Sequence, residues 1–168
     1  MRLAVILAVV GTLSAQGVPT WGGLRFGMTE TQVRSALGGR MLKVEPGPEH
    51  QPADESSHDF IAGLVRETSV KGFEGEANLL FDKSSRKLSM ITLTLTPQKD
   101  ISDLDKAAAY SRLRDDLVKK YGPPVSVKEY TTIFRSGGQS IDVFASTLNG
   151  VPQLVHVAYE AVNTAKGI

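Results

Sequence analysis

Between Leu88 and Thr96, Ile91, Leu93 and Leu95 alternate with Thr92, Thr94 and Thr96. Period two places the aliphatic side chains on one face of a strand and the threonines on the other. A parallel sheet buried on both sides would be apolar throughout. This segment therefore predicts an antiparallel sheet with one face in the core and one face in water.

Further strand patterns surround it. Leu64–Val70 and Glu76–Phe81 precede it, with the polar turn Asp82–Arg86 between the second and third strands. Val127–Phe134, Ser140–Thr147 and Gln153–Ala161 follow, joined by turns at Ser136-Gly137-Gly138 and Leu148-Asn149-Gly150. Asn-Gly is a strong two-residue hairpin signal, because both turn residues must take positive φ.

Two helices precede the two sets of strands. Thr29-x-x-Gln32 is a capping box, with Met28 and Val33 at hydrophobic-staple spacing and Gly38-Gly39 as the stop. This predicts a helix over 30–37 with Val33, Ala36 and Leu37 inward. Ser102 followed by Asp105 opens the second helix, predicted over 103–121. Lys119 and Lys120 suit its C-terminal end, and Gly122-Pro123-Pro124 ends it. Its expected stripe is Leu104, Ala107, Leu113, Leu117 and Tyr121. The expected fold class is thus α+β: two α-β-β-β units, with an antiparallel sheet and the helices on one face. The expected units are 16–97 and 98–168, packed as one domain because three strands alone are marginal.

Met1-Arg2, the apolar run Leu3–Val10 and the small residues before Gln16 form a leader pattern over 1–15. The expected address is periplasmic or secreted. The chain has no cysteine, so disulfides, thiol catalysis and an acylated cysteine are excluded. Basic and acidic residues number 19 and 18, which gives no field for nucleic acid. After the leader no apolar run reaches the roughly 20 residues of a membrane span.

Gly27-Met28-Thr29, Gln32-Val33 and Leu37-Gly38 resemble the start of the SmpA/OmlA family, and the hairpin Ala77–Leu95 resembles that family's hairpin. The resemblance covers about residues 24–95. It implies kinship with small exported lipoproteins that help assemble outer-membrane β-barrels. The doubled plan is similar to tandem-repeat β-lactamase-inhibitor-like proteins. A protein of the cell envelope is the implied partner.

Little in the chain points to catalysis. No Gly-x-Ser-x-Gly elbow occurs, and Gly72-x-x-Gly75 lies between strands rather than before a helix, so it is a turn and not a phosphate loop. Glu74 and Glu76 read as solvated strand residues, and Trp21 and Phe26 as an edge seal. Residues 43–59 combine Pro46, Pro48 and Pro52 with His50, Asp54, Glu55, His58 and Asp59, which predicts an exposed loop. Its histidines and carboxylates carry the alternative function, a metal-dependent or hydrolytic envelope enzyme. The leading expectation is a non-enzymatic binding or scaffold protein without cofactor or metal. Its expected partner surface is His156 on the open sheet face with Thr92, Thr94, Phe134 and Phe144.

Overall fold

The computed structural model describes residues 19–43 and 59–162. The expected leader and the side chains of His50, Asp54, Glu55 and His58 lie outside the described residues.

Helix α1 (Glu30–Ala36) starts on the predicted capping box. The Gln32 amide donates to Thr29 Oγ1 at 3.4 Å, and the Thr29 amide donates to Gln32 Oε1 at 2.9 Å. Val33 and Leu37 are buried, whereas Ala36 faces solvent. Thr29→Ala removes the side-chain acceptor and is expected to cost about 1 kcal/mol, read from the urea midpoint. An unchanged midpoint would contradict the capping role.

Helix α2 (Asp103–Tyr121) begins where Ser102 Oγ accepts from the Asp105 amide at 3.1 Å. It ends at Gly122, whose φ of 86° favours glycine. Its buried residues are Ala109, Leu113, Leu117 and Tyr121. Leu104 and Ala107 do not belong to that stripe, and Leu104 is 80% exposed. Leu104 lies about two and a half turns from Leu113, which puts the two on opposite sides of the helix.

The strands are β1 (Leu42–Lys43), β2 (Asp59–Val70), β3 (Phe73–Asp82) and β4 (Leu88–Pro97), then β5 (Ser126–Val127), β6 (Thr131–Ser136), β7 (Gln139–Leu148) and β8 (Val151–Ala161). They form one eight-stranded sheet in the order β1-β2-β3-β4-β8-β7-β6-β5. Every pairing is antiparallel. The fold is therefore a mixed α+β fold. Hairpins at Lys71-Gly72, Gly137-Gly138 and Asn149-Gly150 have two turn residues at positive φ, the geometry that matches the twist of the flanking strands.

Three segments depart from the expected strands. β2 starts at Asp59 rather than Leu64 and so takes in the end of the expected loop 43–59. β1 was not anticipated; it pairs with Gly63 and Leu64 of β2. The expected strand Val127–Phe134 is broken, because Lys128 and Thr131 exchange backbone hydrogen bonds across a tight turn. The break resets the alternation, with consequences for Phe134.

One face of the sheet is buried. Alternate residues of β3, β4, β6, β7 and β8 join a single apolar cluster with Val33 of α1, Leu37 at its C-cap and the stripe of α2. Both helices thus lie on that face. Trp21 and Phe26 pack against the cluster's margin. Lys71 Nζ meets Asp116 Oδ2 at 2.8 Å and ties the β2–β3 turn to α2.

The β3–β4 turn is held by Asp82, whose Oδ1 accepts from the Ser85 amide at 2.6 Å and the Ser84 hydroxyl at 2.7 Å. These bonds, the Ser85 amide foremost, lower the Asp82 pKa from 3.8 to about 2. The folded value lies below the unfolded one, so the contribution to stability is complete above about pH 4 and is lost as pH falls toward 2. An NMR titration of the Asp82 carboxyl carbon should show a midpoint near 2; a midpoint near 3.8 would mean that the turn bonds are absent in solution.

Candidate functional site

The face of the sheet turned away from the helices is polar and small at its centre. Cross-strand register builds one row through Thr131 of β6, Phe144 of β7, His156 of β8, Thr94 of β4 and Glu76 of β3. A second row runs through Ile133, Asp142, Ala158, Thr92 and Asn78. Directly opposed side chains on one face are close enough to touch. Thr94 Oγ1 and His156 Nδ1 are 3.4 Å apart. The Phe144 and His156 rings are 6.3 Å apart between centroids and tilted by 35°. Phe144 is 42% exposed, a large apolar ring left in water at mid-sheet.

Four of the five expected surface residues therefore share this face: Thr92, Thr94, Phe144 and His156. Phe134 does not. It is 0% exposed and pairs with Ile141, which in turn pairs with Tyr159 in the core row. The turn at Lys128–Tyr130 shifts the phase of β6, so Thr131 and Ile133 point outward while Thr132 and Phe134 point inward.

Tyr130 is a residue that sequence reasoning missed. It is 47% exposed and directly precedes Thr131, the cross-strand neighbour of Phe144. Its carbonyl accepts from the Ala145 amide at 3.0 Å, which fixes it beside the end of the row. A hydrogen bond with Glu129 raises its phenol pKa. The register opposes Tyr130 to Ala145, which is buried on the helical side, so Tyr130 sits at the β5–β6 turn in the phase of the core row, whereas Phe144 stands in the open-face row with the Thr94 hydroxyl and the His156 imidazole inboard. Such a surface can bury a ring and satisfy hydrogen bonds of an incoming chain. Glu74 and Glu76 are exposed on β3 as expected.

On the helical side, burial pushes the Tyr121 phenol up to about 12. Burial, reinforced by Tyr121, also raises Tyr159. Their rings lie 6.4 Å apart. Lys120 Nζ donates to the Thr20 carbonyl at 3.0 Å and lies 4.9 Å from the Tyr121 ring centroid, so α2 is fastened to the segment before α1. Burial lowers the Lys120 pKa.

A cleft of about 160 Å³ opens at the outer margin of β2, lined by Trp21, Gly22, Arg40, Val65, Arg66, Thr68 and Ser69. Nothing in the local sequence marks it, because its walls come from three separate segments.

Among the described residues no cluster of three or more His, Asp or Glu is arranged to hold a metal. No described helix is long and apolar enough to cross a membrane. No family model, curated protein or solved structure matches the chain.

Proposed function

We propose that the chain is an exported, non-enzymatic binding protein of the cell envelope, which captures another envelope protein on the open face of its sheet. The observation that carries this reading is Phe144, exposed in a cross-strand row beside His156 and Thr94. A few buried anchor residues, aromatic rings prominent among them, carry most of the binding energy at protein interfaces, and Phe144 offers such a ring between polar groups that can satisfy a partner's hydrogen bonds.

The proposal includes the two-unit plan, with four strands after each helix where three were expected. Its support is the strand order, which ascends from β1 to β4 and then descends from β8 to β5, with one helix ahead of each series. Kinship with the SmpA/OmlA family is part of the same proposal. The residues that carry the resemblance form the cap and body of α1 and the β3–β4 hairpin.

The test is retention of envelope proteins from the source cell on the immobilised chain. Phe144→Ala is expected to weaken retention of a specific partner about tenfold, the effect of losing one good aromatic contact, with circular dichroism unchanged. Equal retention by both forms would refute the open face as the binding surface. Mass analysis of the exported protein should give Gln16 as its first residue; an intact leader on a cytosolic chain would refute export.

A further inference from the structure

We propose that the cleft beside β2 binds a small planar carboxylate, held by Arg40 and Arg66 with its apolar body against Trp21. This site is separate from the open sheet face and does not depend on that surface being an interface.

The cleft exists because β2 is bulged. Val65 pairs with Ala77 and Thr68 with Gly75, so Arg66 and Glu67 together oppose Glu76 alone. A bulge of this kind re-aims a side chain. β1 covers the outer edge of β2 only at Gly63 and Leu64, so the edge beyond is not paired by a described strand. The three-ten turn Trp21–Gly23 and Arg40, just after Gly38-Gly39, close the other sides.

The chemistry of the lining is one-sided. Arg40 commits its Nε to the Leu37 carbonyl at 3.2 Å, which orients the guanidinium and leaves its two terminal nitrogens without a partner among the described residues. The exposed Arg66 side chain makes no hydrogen bond or ion pair with another described residue. No acidic side chain is among the cleft's described lining residues. Two guanidinium forks match the planar, two-oxygen geometry of a carboxylate. Trp21 adds a half-buried indole face, and Ser69 a hydroxyl. A volume of about 160 Å³ matches a group the size of benzene. Benzoate therefore represents the class.

Trp21 is the chain's only tryptophan, so intrinsic fluorescence reports from the cleft itself. The full chain is titrated with benzoate, acetate and inorganic phosphate. Saturable quenching by benzoate is expected, at least tenfold tighter than by acetate and weaker at higher salt. Arg66→Gln and Arg40→Gln should each weaken benzoate at least tenfold, while Arg135→Gln, on β6, leaves it unchanged. No saturable quenching, equal affinity for acetate, tighter binding of phosphate, or wild-type affinity in Arg66→Gln would each overturn the assignment. Failure here leaves retention of a protein partner on the open face untouched, so the two proposals fail separately.

Discussion

Phe134→Ala lowers the unfolding free energy by about 3–5 kcal/mol, the usual cost of removing a fully buried phenyl ring. Phe134 is 0% exposed, and its neighbours across the strands, Ile141 and Tyr159, are held in a continuous sheet that cannot close around the void. Against a typical total of about 5–15 kcal/mol, a loss of that size removes about a fifth or more of the stability. Phe144→Ala, ten residues on, should change stability by less than about 1 kcal/mol, because much of that ring is already in water. Urea denaturation followed by circular dichroism separates the two. Similar costs for both would mean that the assigned inward and outward phases of β6 and β7 are wrong.

Gly75→Ala is the second large effect, and it acts through backbone rather than volume. A Cβ at Gly75 would overlap the carbonyl oxygen of Thr94 and press on Leu95 Cα at 3.0 Å. Those atoms belong to β4, the strand that joins the halves of the sheet, and they cannot swing aside as a side-chain tip can. The expected cost is about 3 kcal/mol or more, at or above the upper end for overpacking. Gly63 supplies the contrast. There the new Cβ meets only the flexible Met41 side chain, whose thioether end can move, so Gly63→Ala should cost distinctly less. A Gly75→Ala protein with a near-normal urea midpoint would show that β3 and β4 are not packed this tightly.

The helices were legible in outline because their ends are written locally. Thr29 with Gln32, Ser102 with Asp105, and Gly122 as a stop each act within one turn, and the structure places α2 over the predicted span. What local pattern could not settle was which apolar residues face the sheet. Leu104 has the composition of a core residue but the wrong phase. Val127–Phe134 looked continuous because β-branched residues lie on both sides of Lys128–Tyr130; the turn there reversed the orientation of Phe134. Alternation correctly sent Thr92, Thr94, Phe144 and His156 to one face, but only strand order makes neighbours of Thr94 and His156, 62 residues apart. The cleft was invisible for the same reason: Trp21, Arg40 and Arg66 become adjacent only after α1 docks and β2 bulges.

The pairing of β4 with β8 has a consequence for how the molecule is made. β4 is complete at Pro97, while its inner flank waits for Val151–Ala161, the last described strand. A nascent chain that stops anywhere between them carries an open ladder of amide and carbonyl groups along Ile91, Leu93 and Leu95. Such a flank is a template for joining a second copy edge to edge. Chains truncated before β8 should therefore clump rather than remain half-folded, and long-range closure of this kind sets a slow final step in maturation.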